Sequence, residues 1–372
     1  MAKKGSARRA GGGAAAHAAE LHSKAVVIDC HSDVLMPIAD GYVRLGDLVS
    51  VPDPAAWKPP FEMRPPADKY VGWPRGSAFG CIGQYSLPAF LAGGLTAQVC
   101  AVFVEDERLP EALRRALEMV WWFHREVEEN EAFVHATTAS DIRRAKREGR
   151  VAGVLALEGI EPVGYDLKML DIFYRLGVRM AGLAHNRRNY YSEGTQHHIR
   201  TGGLTAPGKQ AIRRMNELGI VVDVGHFNQA CFWDALEASE APVVLSHRSP
   251  LKFFPLKAED SPFHPAYDLS RGRERLEALA GNGGVFGVFF LGARDVDDVV
   301  DDIEYVIDLV GPDHVGLGSD LYGLPGAPRG LEDMSKVPAI TECMVRRGHP
   351  DEVVLKVLGG NFMRVFEQVW KG

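Results

Sequence analysis

The sequence lacks any apolar run approaching the ~20 residues that a membrane-crossing helix needs, so no membrane segment is expected. It also lacks an excess of basic charge. Lys and Arg number 42 against 49 Asp and Glu, a formal net charge of −7, and a nucleic-acid partner, which requires a basic face, is not expected. Cysteine is scarce: Cys30, Cys81, Cys100, Cys231 and Cys343 make an odd set of five with no CxxC pair. That excludes a disulfide framework and leaves reduced thiols in a cytoplasmic protein as the expectation. Cys30 and Cys100 lie in apolar runs and read as core, although Cys30 directly precedes His31. The opening stretch MAKKGSARRAGGGAAAHAAE has no Leu-, Val- or Phe-rich segment of the kind a signal peptide carries, and residues 1–20 are expected to form a flexible tail. No hydrophobic tail that would signal a lipid anchor closes the sequence, and no internal repeat occurs.

What is present is enough apolar material for a large core, 46% of 372 residues. Eight short β-rich runs follow one another: Val26–Cys30, Ala97–Val104, Val151–Leu157, Arg179–Ala184, Ile220–Val224, Pro242–Ser246, Gly284–Phe290 and His314–Gly318. Most are almost continuously apolar, as parallel strands buried on both faces should be. Amphipathic helices are expected between several of them, at Glu111–Asn130, Asp166–Leu176, Gly208–Leu218 and Asp297–Val310, with Gly177 and Gly219 where two of these should stop. The alternation predicts an α/β fold with a parallel sheet, and eight strands suit a (β/α)8 TIM-type barrel occupying residues 21–372 as one domain. An open doubly wound sheet is the rival, but its Gly-rich phosphate fingerprint after the first strand is missing. Residues 36–86 and 248–272 are proline-rich and irregular; each follows a strand, which on a barrel puts it at the C-terminal rim, as substrate wall or as plain decoration.

The chemistry concentrates where those runs end. The first ends in Val-Ile-Asp-Cys-His-Ser-Asp, so His31 and Asp33 are two apart and face one side of an extended segment. Glu158 follows the third run, His185 the fourth, His226 the fifth, His247 the sixth and Asp320 the eighth. In a barrel these ends converge on one face, where active sites are built. One histidine after a strand is usually a packed or capping residue. Four histidines and three carboxylates so placed on six strands are poorly explained that way. Imidazole with carboxylate suits zinc, while manganese, iron and cobalt also take such ligands. His31, Asp33, Glu158, His226 and His247 exceed the three protein ligands that one catalytic zinc needs, which favours two ions sharing a carboxylate. Asp29 and Asp223 alternate with these residues and are expected either to support ligating histidines or to make bonds internal to the barrel. His197, His198 and His314 read as exposed or capping, and Trp121 and Trp122 as core or interface.

From about Ala25 to Val369 the chain resembles the membrane dipeptidase (renal dipeptidase) family of the amidohydrolase superfamily. VIDCHSDVL, LPAFLAGGLTAQV, LALEG, LAHN, GGLTAPGKQAIRRMNELGIVVDVGHF, PVVLSHRSP, DHVGLGSDLYG and GGNFMRVFEQV carry the likeness by their order and spacing. The resemblance implies a dizinc dipeptidase, with a small-molecule peptide substrate and a homodimeric assembly. It implies one zinc on His31 and Asp33, the other on His226 and His247, and Glu158 bridging them. Asp320 matches the acid/base aspartate and His185 the histidine that contacts the substrate carbonyl. The implied chemistry is attack on the amide carbonyl by a hydroxide bridging two ions roughly 3.5–4 Å apart. His185 would steady the oxyanion, and Asp320 would carry the proton to the leaving amine.

Three stretches depart from the family pattern. Leu321-Tyr322-Gly323 stands where a Phe-Asp-Gly turn is usual, and Arg187-Arg188-Asn189-Tyr190-Tyr191 where an Asn-Thr-Pro-Trp-like stretch is usual. The Arg-Asn pair whose arginine binds the substrate carboxylate has no counterpart in LKFFPLKAEDSPFHPAYDLSRGRERL. Arg187, Arg188, Arg248, Lys252 and Lys257 are candidate replacements, each otherwise a solvated surface cation. The expectation is retained hydrolytic machinery, acting on dipeptides or on a modified peptide or other amide. A non-catalytic ligand-binding barrel is the alternative from another class, which the density of ligand-type residues argues against.

Overall fold

A computed structural model describes residues 4–47, 84–194, 202–250, 269–290, 293–321 and 327–371. Nine strands are present among these: β1 Ile28–Asp29, β2 Ala97–Phe103, β3 Phe133–His135, β4 Val151–Glu158, β5 Val178–Gly182, β6 Val221–Asp223, β7 Val244–Arg248, β8 Val285–Val288 and β9 Val315–Leu317. All pairings are parallel. β1 pairs with β2 and β9, β2 with β4, and the ladder then runs without a break from β4 to β9, so eight strands close into a barrel. The fold is a (β/α)8 TIM-type barrel, as expected. β3 was not expected. It is three residues long and pairs with the start of β4, from Val151 to Gly153, before β5 begins beside Leu155.

The expected helices are found at Ala112–Glu129, Lys168–Arg175, Ala206–Leu218 and Val296–Val310. Gly219 ends the third of them in the left-handed conformation at φ 81°, which costs glycine nothing.

Side chains alternate along the barrel strands. Ala97 and Val99, and Ala152, Val154 and Ala156, join an inner cluster with Cys30, Met180, Val221, Val244 and Val285, while Cys100, Val102, Leu155 and Leu157 pack outward against the helices. Phe362, Phe366 and Trp370 enter the inner cluster from the C-terminal helix Asn361–Val369 and its end. That helix meets the N-terminal ends of the strands: the Trp370 indole donates to the Arg179 carbonyl, and Phe362 lies against Gly316. The other end of the barrel is left for polar side chains. Two glycines make room there. A Cβ on Gly287 or Gly318 would lie 1.9 or 1.8 Å from the Ser246 carbonyl oxygen.

The N-terminal stretch departs from expectation. Residues 1–20 were expected as a flexible tail, but a helix runs from Lys4 to Lys24, with Ala18, Leu21 and His22 buried. His22 Nδ1 lies 2.7 Å from Thr341 Oγ1 and its Nε2 2.8 Å from the Gly93 carbonyl oxygen. Alanine explains the difference. AAAHAAE is a strong helix former, yet its small side chains give little apolar periodicity to read. No helix among the described residues is long and apolar enough to cross a membrane.

Candidate metal centre

The residues expected at the strand ends come together around one atom, Glu158 Oε1. His226 Nε2 lies 2.8 Å from it, His31 and His247 Nε2 each 3.7 Å, and His185 Nε2 3.8 Å. Glu158 continues the inward row of β4 set by Ala152, Val154 and Ala156, so strand alternation alone aims it into the mouth of the barrel. His31 Nε2 is also 3.8 Å from Asp33 Oδ1 and 3.6 Å from Asp320 Oδ1. Two triads suited to a cation share Glu158: His31, Asp33 and Glu158, and Glu158, His226 and His247. A third combination, His31, His247 and Asp320, overlaps both.

The donor set fits divalent cations. His31 Nε2 and Asp33 Oδ1 are buried without a hydrogen-bond partner, a costly state for polar atoms unless something else occupies them. His226 and His247 point their Nε2 atoms at each other across 2.8 Å. Burial pushes the Glu158 carboxyl up to about 8, with the charge of Asp223 adding to it, and pushes Asp33 up as well. Burial pushes His31 down to about 3 and His226 to about 4, and lowers His185 and His247. The histidines are thus held neutral, the form that binds metal, while the carboxylates lack the positive charge that would let them ionise.

Neighbouring residues fix which nitrogen of each ring faces inward. Ser246 Oγ donates to Asp223 Oδ2 at 2.5 Å and so accepts from His247 Nδ1 at 2.8 Å, leaving a lone pair on Nε2. Asn186 Oδ1 lies 3.2 Å from His226 Nδ1 and does the same for that ring. Asp223 also accepts from the amides of Gly225 and Ser246. Asp29 holds Ser319 in like manner, taking its amide and its hydroxyl at 2.7 Å each, with Gln98 Nε2 at 2.9 Å. Both expectations for these aspartates therefore meet: their bonds stay within the barrel, and Asp223 supports a histidine through its serine. Asp320 itself sits at φ 49°, the one non-glycine residue among those described with a positive φ. Such a conformation costs of order 1–3 kcal/mol and marks a side chain whose direction is imposed.

Asn186, Ser246, Ser319 and Tyr85 did not stand out in the sequence. Asn186 directly follows His185 in LAHN, and Ser246 and Ser319 directly precede His247 and Asp320, which is the signal that was available. Phe103, at the tip of β2, packs against His185 with ring centroids 4.5 Å apart. Among the candidate cations, Arg187 is bound to Asp106 and to the Val104 carbonyl. Arg188 is exposed and paired with Glu193. Arg248 donates to the Gly225 carbonyl at 3.1 Å, and its charge weighs on His226 and His247. Lys252, Lys257, His197, His198, Tyr322, Gly323 and Cys81 lie outside the described residues. His314 Nδ1 lies 2.9 Å from the Gly284 carbonyl oxygen, Trp122 packs on the core, and Trp121 is exposed.

Residues 15–371 match the family model of membrane dipeptidase, peptidase family M19. Dipeptidase tcpJ of Claviceps purpurea is 36% identical over 247 residues, 63% of this chain and 55% of that protein, so the chain spans about half of that relative's length. Dipeptidase aclJ of Aspergillus oryzae is 31% identical over 307 residues, 77% of this chain and 70% of that protein. Among solved structures, the dipeptidase AC, a metallopeptidase of family M19, superposes with a TM-score of 0.74 at 23% identity, covering 94% of this chain and 99% of that one. A metallopeptidase from Rhodobacter sphaeroides, liganded with a phosphinate mimic of the dipeptide L-Ala-D-Ala, superposes with a TM-score of 0.72 at 23% identity, covering 93% and 99%. The chain belongs to the membrane dipeptidase family, peptidase family M19.

Proposed function

We propose that the chain is a dizinc dipeptidase that hydrolyses the amide bond of dipeptides. The observation that carries this is the pair of triads sharing Glu158, one on each side of a single carboxylate. His31 and Asp33 would hold one ion, His226 and His247 the other, and Glu158 both. Charge balance supports two ions. Ionised Asp33, Glu158 and Asp320 sum to −3, which one divalent ion leaves negative and two turn to +1, a balance that welcomes an anionic group. When bound, the ions supply an activated water nucleophile and Lewis-acid polarisation of the carbonyl.

The remaining work falls to the chain's own groups. Asp320, 3.6 Å from His31 Nε2, accepts the proton of the nucleophile and returns it to the leaving amine. His185 lies at the rim beside Phe103 and is kept neutral by burial, so its ring N–H can donate to the oxyanion as charge develops there. Phe103 keeps water from one side of that ring.

A second substrate class, a modified peptide or other non-standard amide, is favoured by one observation. Arg187 and Arg188, which replace the usual residues after His185, are already engaged with Asp106 and Glu193 and do not stand ready for a substrate carboxylate. Metal analysis with a panel of L,L- and L,D-dipeptides, acylated amino acids and blocked peptides, each with and without chelator, tests both. Chelator-sensitive cleavage of free dipeptides with about two zinc ions per chain is the expected result. Cleavage confined to blocked or modified amides would replace the first substrate class by the second. A metal-free protein that zinc does not activate would refute both.

A further inference from the structure

The residues on both sides of Asp320 are held by buried side chains from elsewhere in the barrel. On one side, Ser319 gives its amide and its hydroxyl to the two oxygens of Asp29, each at 2.7 Å. On the other, the Leu321 amide donates to the Tyr85 hydroxyl at 2.7 Å. The phenol also lies 2.7 Å from Ser319 Oγ and 3.2 Å from the carbonyl oxygen of His31. Because Ser319 Oγ gives its proton to Asp29, it accepts from Tyr85, and Tyr85 accepts from Leu321. The bonds therefore run one way, from the Leu321 amide through Tyr85 and Ser319 to the Asp29 carboxylate. Tyr85, Asp29, Ser319 and Leu321 are at most 2% exposed, so water cannot stand in for any of these partners. Between the two pinned amides lies Asp320, in its left-handed conformation.

We propose that Tyr85 is a positioning residue for Asp320: its hydroxyl, anchored through Ser319 on Asp29, fixes the backbone on both sides of Asp320 and sets where its carboxylate points relative to His31. This rests on the assignment of Asp320 as the acid/base group. The phenol contacts backbone groups and Ser319. It acts through the Leu321 amide and the Ser319 hydroxyl, and it ties the first strand's exit to the ninth's directly beneath the site. A simple strut would hold the barrel together without governing Asp320, and the two roles separate experimentally.

Tyr85→Phe removes one oxygen and keeps the ring beside Phe90. In the zinc-loaded full chain we expect kcat to fall roughly 10- to 100-fold, the size of a misplacement of about 1 Å, with KM within about twofold and zinc content unchanged. Added to Asp320→Ala, Tyr85→Phe should cause no further loss, since its effect passes through that residue. A crystal structure of Tyr85→Phe should show residue 320 turned away from its left-handed conformation or from His31. Should that variant yield no folded protein, Ser319→Ala, which keeps the phenol and cuts its link to Asp29, is read in the same three ways. Wild-type kcat in the variant, a loss that multiplies with Asp320→Ala, or an unmoved Asp320 would each overturn the proposal. If the wild type cleaves no dipeptide, the assignment of Asp320 fails separately, and the position of residue 320 in the variant crystal still decides what Tyr85 does.

Discussion

Replacing Ser246 by alanine should weaken one of the two proposed metal sites and leave the other nearly untouched. The serine hydroxyl links Asp223 to His247, donating at 2.5 Å and accepting at 2.8 Å. Without it, His247 Nδ1–H loses its acceptor and the ring is free to turn or to change tautomer. Loss of such an outer partner typically costs 10- to 100-fold in metal affinity, or roughly 1.4–2.8 kcal/mol. Asp223 keeps the Gly225 and Ser246 amides at 2.9 and 3.0 Å, so the metal-free protein should lose the charge-assisted bond to Asp223, about 1.5–3 kcal/mol, and the bond from His247, about 0.5–1.5 kcal/mol. The Ser246 hydroxyl bonds to Asp223 and His247, neither of them in the triad of His31, Asp33 and Glu158, and an ion held there should be released within about threefold of its wild-type concentration. The assay is zinc competition against a chromophoric chelator, fitted as two binding steps, beside thermal unfolding of the metal-free protein. One weakened step and one preserved step is the expected pattern. Equal weakening of both steps, or a lower melting temperature with an unchanged isotherm, would refute the link from Ser246 to His247 and leave the serine as an ordinary barrel bond.

Four other outcomes follow from the structure. Asp320→Ala should retain both zinc ions by elemental analysis while kcat falls on the order of 10²- to 10⁴-fold, the usual contribution of a positioned acid/base group. Metal-free protein should lose stability as pH rises from about 7.5 through about 8. Glu158 keeps its proton up to about 8 when folded but releases it near 4.5 when unfolded, so the unfolded state binds fewer protons there, and only about a unit above their ordinary 6.5 are the histidines largely neutral in both states and unable to offset this. Saturating zinc should abolish that decline in a pH series of melting temperatures. Gly318→Ala should destabilise by about 1–3 kcal/mol or more, because its Cβ would press on the Ser246 carbonyl, which is backbone and cannot swing aside. Gly13→Ala, in open space within the N-terminal helix, should instead gain about 0.5–1 kcal/mol, and a denaturant titration reads both variants.

The barrel was legible because its strands are buried on both faces, and runs such as Val151–Leu157 have no polar interruption until the residue that matters. Glu158 and His185 were legible for the complementary reason, each being the polar residue that breaks an apolar run, and His226, His247 and Asp320 because they close such runs one to three residues after the first polar residue. β3 was not, because Phe133–His135 is too short to carry a pattern. The N-terminal helix was missed because alanine packs without a periodic apolar signal. Tyr85, Asn186, Ser246 and Ser319 were missed because their roles exist only between distant segments. Ser319 meets Asp29 across 290 positions of sequence and Tyr85 meets Leu321 across 236, and apart from the adjacency of Asn186, Ser246 and Ser319 to site residues nothing local distinguishes them. The arginines after His185 were read as candidate substrate cations, and nothing in their own sequence announced that Asp106 and Glu193 would engage them.

The two buried aspartates off the proposed metal sites explain how a barrel can hold site residues steady at its weakest joints. β1 meets β9 through a single pair, Asp29 with Leu317, and β6 meets β7 through a single pair, Asp223 with Val244. Those two seams are the ones that the site spans most directly: His31 faces Asp320 across the first, and His226 faces His247 across the second. At each seam an aspartate on one strand takes both the amide and the hydroxyl of a serine on the other, and that serine immediately precedes a site residue. A carboxylate gripping a serine at two points fixes the neighbouring backbone where ordinary ladder bonds have run out. The arrangement has an electrostatic cost. Burial pushes Asp29 up to about 6 and raises Asp223 too, even though each accepts several hydrogen bonds. Replacing either with a neutral residue would relieve that cost and free the seam. The geometry therefore predicts that Asp29→Asn disturbs Asp320, while Asp223→Asn disturbs His247, each at its own side of the site.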